Sequence, residues 1–214
     1  MRLQVVSVEF DCEELRITST GFIASMAGLE KPLICVDPVR EMLDIGIRNN
    51  IANIETICET AEQFSEREIH YDKLLIKGAI HHFPINKLTK IFSGLSNQLS
   101  KGGLILIEKT KEQGQSYPTF QKARHLHSLS EEGRSELLLD IFQTLGYEVT
   151  TKIVEARARM TKAEAIRNIR NRYTSTLELL TDQEIQEGIE EVEENLPDII
   201  EYEYKREIII ARKC

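Results

Sequence analysis

The sequence predicts an α/β fold built on a parallel sheet, and three observations predict it. First, the apolar runs Leu33–Val36, Leu74–Ile76 and Leu104–Ile107 are nearly continuous rather than alternating, as in strands covered on both faces. Second, helical patterns lie between these runs, so that strand and helix alternate. Third, 214 residues with 41% hydrophobic content suffice for one sizeable core, which suits one domain better than two.

Taken in order, Leu15–Thr18 is a candidate for a first, central strand, and Leu33–Val36 is the next. The segment Pro38–Asn49 reads as a helix, because Asp37-Pro38 pairs an N-cap residue with the proline favoured in the first turn. Over Ile85–Leu99, Leu88, Ile91, Phe92, Leu95 and Leu99 form one helical stripe, and Gly102-Gly103 then turns the chain into another strand. Ser128 and Glu131 match a capping box, which predicts a helix running to about Leu145 and stopping at Gly146. Tyr147–Glu155 reads as a strand. Thr161 with Glu164, and Thr181 with Glu184, match two further capping boxes. The two helices they open differ in sign: residues 152–172 hold seven basic side chains, whereas 182–203 hold ten acidic ones. Tyr202–Arg212 reads as a final strand.

Composition excludes several functions. A net charge of -8 opposes a phosphate backbone unless one face is strongly basic. Aromatic content of 6%, with no tryptophan, argues against a base-stacking platform, so nucleic acid is not an expected partner. No apolar run is long enough to span a bilayer, and the opening residues lack the pattern of a secretion signal. The four scattered cysteines form no CxxC pair, which fits a reducing, cytoplasmic setting. Oligomeric state and the identity of any ligand are not written in these patterns.

The most informative stretch is LICVDPVREML, residues 33–43, where a buried strand ends at Asp37. A carboxylate at that edge of an open α/β sheet is placed to accept both hydroxyls of a ribose. It can equally cap the following helix, and the two roles are compatible. Downstream lie IETICETAEQF (54–64), YDKLLIKGAIHHF (71–83) and LSKGGLILIEK (99–109), each a strand bordered by a small-residue or polar turn. Further on comes IRNRYTSTLELLTDQEIQEGIEEVEE (169–194).

The order and spacing of these pieces resemble the class I S-adenosylmethionine-dependent methyltransferases, especially the small-molecule group called type 11. The resemblance covers about residues 20–110 and extends through the later helices. It implies a three-layer Rossmann-like fold across 1–214, mostly parallel, with an antiparallel last strand and a helical insertion at about 161–196. It implies methyl transfer from S-adenosylmethionine to a small-molecule acceptor. Carried over by residue, it implies that Asp37 holds the ribose, Met42 packs against the adenine, Ala61 and Glu62 border the adenine amino edge, and Lys77 and Gly78 border the methionine end. Thr20 and Gly21 match the end of the family's glycine-rich loop.

The departure lies in that loop. The family pattern D-x-G-x-G-x-G lets backbone N–H groups reach the cofactor's carboxylate without an intervening Cβ. Here the matching stretch is LRITSTG, with Leu15 in place of the acid and Ile17 and Ser19 in place of two glycines. The amino-terminal part is therefore expected to be atypical or truncated, without the helix that usually precedes the first strand. A second hypothesis follows: a methyltransferase-like protein that binds cofactor weakly or not at all and acts through protein contacts. A nucleotide-binding oxidoreductase ranks last, because it needs the same glycines.

No catalytic triad is expected, because a sulfonium is already an activated donor and positioning supplies most of the acceleration. His81 and His82 are the candidate bases; the plainer reading packs His82 beneath its loop and leaves His81 in solvent. His125 and His127, two apart on a helix, do not share a face, and no metal is expected. Arg172 and Tyr173, with Arg167 and Arg170, are candidates for contacting a carboxylate-bearing acceptor. The competing reading pairs this basic helix with the acidic one over 182–194, a surface contact of little energy.

Overall fold

In the computed structural model, residues 5–9, 32–48, 54–111 and 117–214 are described. The strands are β1 (Val5–Glu9), β2 (Leu33–Val36), β3 (Ile54–Ile57), β4 (Tyr71–Lys77), β5 (Leu99–Thr110), β6 (Tyr147–Thr161) and β7 (Ile199–Lys213). The helices are α1 (Arg40–Arg48), α2 (Ala61–Ser65), α3 (Leu88–Gln98), α4 (Gln121–Glu131), α5 (Arg134–Thr144), α6 (Lys162–Arg170), α7 (Ser175–Glu178) and α8 (Asp182–Asn195). One seven-stranded sheet has the order β3-β2-β1-β4-β5-β7-β6. β1 to β5 pair parallel with one another, and the expected mostly parallel sheet with an antiparallel last strand is found. The expected helical insertion, α6 to α8, precedes that strand.

Two compact units make up the chain. The first comprises Met1–Lys109, Gly133–Lys152 and Ile208–Cys214; the second comprises Thr110–Glu132 and Ile153–Glu207.

The first unit corrects the expected central strand. That strand is Val5–Glu9, between β2 and β4, whereas Leu15–Thr18 lies outside the described residues. A strand with parallel neighbours on both sides favours a run such as Val5-Val6-Ser7-Val8, whereas Leu15–Thr18 carries Arg16 at its centre, a residue almost never fully buried unpaired. Ile34, Val36, Leu74, Ile76, Ile105 and Ile107 supply the strand side of the core, with Leu88, Ile91, Phe92 and Leu95 of α3. The predicted stripe of α3 is thus the face that packs. The helix itself begins at Leu88, after a short 3-10 turn over Ile85–Lys87.

Three polar ties position α3. The Gln98 amide donates to the carbonyls of Phe64 (2.7 Å) and Arg67 (2.9 Å), and the Tyr71 hydroxyl donates to Leu95 O at 3.1 Å. Lys213 Nζ donates to Ser96 O (2.6 Å) and Leu99 O (2.8 Å), putting a cation on carbonyls at the helix's negative end. α2 and α3 approach closely at Gly94, where a Cβ would collide with the carbonyl oxygen of Ser65.

The helix expected from Ser128 to Leu145 is two helices. α4 begins at Gln121, so Ser128 lies inside it and caps nothing. Gly133 (φ +67°) breaks the run and serves as N-cap of α5. A left-handed residue suits glycine, and this outweighed the capping signal. The predicted end at Leu145-Gly146 is found.

The second unit has its own core of Phe120, Ala123, Ile169, Leu177, Leu180, Ile185, Ile189 and Val192. Both predicted capping boxes, Thr161–Glu164 and Thr181–Glu184, are formed. Glu184 is also held by Lys122. Lys122 foremost, then the Thr181 amide and hydroxyl, lower the Glu184 carboxyl from its ordinary 4.5 to about 2.

Two predictions follow from this packing. Gly94→Ala gains helix propensity but drives a methyl group into the α2 backbone, and it is expected to lose about 1–3 kcal/mol in urea unfolding. A variant as stable as wild type would show that α2 and α3 do not meet this closely. Glu184 binds its proton less readily folded than unfolded, so its stabilisation is complete above pH 4.5 and lost as pH falls toward about 2. E184Q is therefore expected to flatten that acid limb in thermal melts while leaving a smaller deficit of constant size below it.

Candidate functional site at the carboxyl edge of the sheet

Register builds this edge. Ile57, Val36, Val8, Ile76 and Ile107 share one row across five parallel strands. The residues that follow them are Cys58, Asp37, Glu9, Lys77 and Glu108, with Glu9 opposite Lys77 and Lys77 opposite Glu108. An apolar row thus gives way to a polar one within a single residue. β2 and β3 lie on one side of β1, and β4 and β5 on the other. That reversal of strand order is where open α/β sheets take ligands.

Asp37 leaves β2 with its N–H bonded to Ile57 O at 3.2 Å. Its Oδ1 accepts the Val39 N–H at 2.7 Å, and the residue is 5% exposed. The helix that follows starts at Arg40, two residues later than expected, so the Asp37–Val39 bond lies ahead of that helix rather than capping it. Met42 is half-buried on α1, its N–H bonded to Val39 O at 3.1 Å. Cys58 donates to Pro38 O at 3.5 Å, linking the ends of β2 and β3.

Ala61 is buried and Glu62 half-buried in the first turn of α2, which opens with a capping box of Thr60 and Gln63. Glu62 pairs with Lys87 at 2.8 Å and reaches Lys90 at 3.8 Å. Its hydrogen bond to Lys87 lowers the carboxyl below its ordinary value. Lys77 is half-buried at the end of β4, and the Gly78 N–H donates to Glu108 O at 2.9 Å. These placements bring Asp37, Lys77 and Gly78 to one edge and Ala61 and Glu62 to the first turn of the helix that follows β3. Thr20 and Gly21 lie outside the described residues.

His81 and His82 occupy a 3-10 turn, Ile80–His82, with ring centroids 4.1 Å apart. His81 is half-buried and His82 exposed, the reverse of the plainer expectation. The core takes Ile80 of this turn instead. Arg134, which the sequence did not single out, organises this turn. It is 8% exposed, and its guanidinium donates to Ile80 O (3.0 Å), His81 O (3.0 Å) and Phe83 O (2.9 Å). Only its place after a helix-breaking glycine distinguishes Arg134 in the sequence.

In the second unit, Arg172 is committed to structure. It donates to Leu177 O, to Leu180 O at 2.6 Å and to Asp182 at 2.7 Å. The basic-to-acidic pairing is therefore present at this residue, which has φ +51°. Tyr173 is half-buried, its N–H bonded to Asn168 O at 3.0 Å. Among the described residues, no cluster of His, Cys, Asp or Glu could hold a metal, and no helix is long and apolar enough to cross a membrane.

No protein-family model matches the sequence, and no curated protein matches it significantly. Solved structures do share its fold. The YcgJ protein of Bacillus subtilis matches 99% of this chain and 92% of its own, with a TM-score of 0.65 and 17% identity. A SAM-dependent methyltransferase of Archaeoglobus fulgidus matches 99% and 86%, with a TM-score of 0.58 and 15% identity. A phosphoethanolamine N-methyltransferase of Haemonchus contortus, in complex with phosphomonomethylethanolamine and S-adenosylhomocysteine, matches the whole of this chain and 49% of its own, with a TM-score of 0.56 and 15% identity. The chain has the Rossmann-like fold of class I methyltransferases.

Removing Arg134 would leave three carbonyls at the β4 edge without their charged donor. Arg134→Met keeps the stem and removes the guanidinium, and it is expected to cost about 2–3 kcal/mol in urea denaturation. An unchanged midpoint would mean that the turn bearing the histidines holds itself.

Proposed function

We propose that the chain transfers a methyl group from S-adenosylmethionine to a small-molecule acceptor. The observation that carries this reading is a buried acid, Asp37, at the carboxyl end of β2, beside the strand-order reversal of a methyltransferase fold. The nucleoside end of the cofactor suits the residues there. Asp37 would hold the ribose through its hydroxyls, while the Val39 N–H keeps the side chain in one rotamer. Met42 would border the adenine face, and the backbone of Ala61 and Glu62 its amino edge. The Glu62 carboxylate is taken by Lys87, so reading of the base falls to the main chain. Lys77 and Gly78 would border the methionine end.

When bound, the cofactor supplies a methyl group already activated on sulfur. The protein then has to orient the acceptor and exclude water. The turn held by Arg134 would present His81 toward the acceptor, where it can take a proton if the acceptor must lose one.

A second reading, a methyltransferase-like protein without cofactor, is favoured by one specific observation. With β1 ending at Glu9, the chain continues Phe10-Asp11-Cys12-Glu13-Glu14, and its first glycine is Gly21. A carboxylate-binding loop at this place needs close N–H groups, and these residues bring side chains and negative charge. The methionine end of the cofactor therefore suits the chain poorly.

Calorimetry separates the two. On the methyl-transfer reading, S-adenosylhomocysteine binds, adenosine retains much of that affinity, and Asp37→Ala weakens both by about tenfold, the worth of one or two lost hydrogen bonds to a charged group. Absence of heat at millimolar S-adenosylhomocysteine would leave only the second reading.

A further inference from the structure

One margin of the seven-stranded sheet is β3, with 4 residues, and the other is β6, with 15. A strand at a margin offers a row of backbone N–H and C=O groups to any chain able to pair with it. Proteins usually blunt such a margin by shortness, proline or a bulge. β6 is long, and no proline or glycine interrupts YEVTTKIVEARARMT. Its opening residues, Tyr147–Lys152, belong to the first unit. Tyr147 anchors them: it is buried, its hydroxyl donates to Ser96 Oγ at 2.9 Å, and its ring lies 5.5 Å from that of Phe142. Beyond this anchor Val149 is half-buried, whereas Glu148, Thr150, Thr151 and Lys152 are exposed. Side chains from both faces of the strand thus reach solvent along one held stretch.

A lysine at a margin is itself a guard against chance pairing, so the margin is usable only by a strand that answers Lys152. A second copy does so. Two antiparallel strands related by a two-fold axis set residues equally far from the axis opposite one another, on the same face. With the axis at Thr150, Thr150 meets its own copy, and Val149 meets Thr151. Glu148 then meets the partner's Lys152, and Lys152 the partner's Glu148. With the axis moved to Thr151, Lys152, Ile153 or Val154, neither Glu148 nor Lys152 faces an opposite charge. Charges further along β6 are already answered within the chain, Glu155 by Lys205 at 2.6 Å and Arg157 by Glu203 at 2.9 Å. Opposite charges set across two strands favour a register, and like charges oppose it.

We infer that the chain self-associates through this margin, β6 pairing antiparallel with β6 of a second copy about a two-fold axis at Thr150. Main-chain hydrogen bonds supply the attachment, and the two Glu148–Lys152 pairs select the register. The contact is short and polar, so the dimer is weak and forms at about 100 µM chain. It uses none of the residues assigned to the nucleoside, and it stands whether or not the chain binds cofactor.

Sedimentation velocity of the full chain, between about 5 and about 500 µM, tests the inference. The weight-average sedimentation coefficient is expected to rise with concentration toward that of a dimer. Glu148→Lys sets lysine opposite lysine, and Lys152→Glu sets acid opposite acid, so each is expected to weaken the dimer about tenfold. Mixed in equal amounts, the two variants make a heterodimer in which each introduced charge meets its opposite. Association is then expected to return to within about twofold of wild type. A circular dichroism melt establishes that each variant is folded. The double variant E148K/K152E restores both pairs within one chain and replaces the mixture if one single variant is unfolded. A wild-type coefficient that stays constant up to about 500 µM, folded single variants that associate as wild type does, or a charge-matched combination that fails to recover would each overturn the inference.

Discussion

The row of parallel backbone hydrogen bonds through Ile57, Val36, Val8, Ile76 and Ile107 is what the rest of the first unit depends on. A parallel sheet needs cover on both faces, so its interior positions are apolar and its polar residues gather where the strands stop. Slipping one strand by a residue would exchange its two faces and also move its terminal polar residue out of line. Register thus fixes the core and the candidate site together. Asp37, Lys77 and Glu108 stand at one edge because each directly follows a residue of that row. α3 reinforces the arrangement from outside through Gln98, Tyr71 and Lys213, whose polar atoms reach backbone carbonyls.

That edge also carries the chain's main tension. On the proposed reading, the buried carboxylate at the end of β2 and the first turn of α2 would serve a nucleoside, whereas the sequence after β1 lacks the glycines of a carboxylate-binding loop. The placement of β1 sharpens this. Aligning LRITSTG with the family's first loop keeps two matching residues, Thr20 and Gly21. With the strand at Val5–Glu9, no glycine lies within the following eleven residues, Phe10 to Thr20. The methyltransferase architecture and the means of holding the whole cofactor are therefore separate questions for this molecule, and the fold answers only the first.

Arginine use illustrates how little a residue type says without its neighbours. Arg172 stood out in the sequence because it lies in a basic stretch ahead of an acidic helix, and its guanidinium is taken up by two carbonyls and Asp182. Arg134 sits in no pattern, yet it is buried across three carbonyls of the histidine turn. Arg206 lies over the ring of Tyr204, two residues earlier on the same strand, and its Nη1 donates to Thr110 Oγ1. Proximity in sequence marks charge density; burial and partner geometry decide what each charge does.

Local chemistry alone determined much of this protein. Continuous apolar runs identified β2, β4 and β5, the helical stripe identified the packing face of α3, and Thr161–Glu164 and Thr181–Glu184 identified two helix starts. Each depends on residues within one turn or one strand, so each is legible without the fold. Tertiary structure decided the rest. It chose Val5–Glu9 for the central strand, because that segment pairs on both edges with β2 and β4, far away in sequence. It broke the helix at Gly133, reversed the exposure of His81 and His82, and brought Tyr117 to Tyr202 across 85 residues. Such outcomes turn on which distant surfaces meet, and a periodicity read along one chain segment carries no information about its partner.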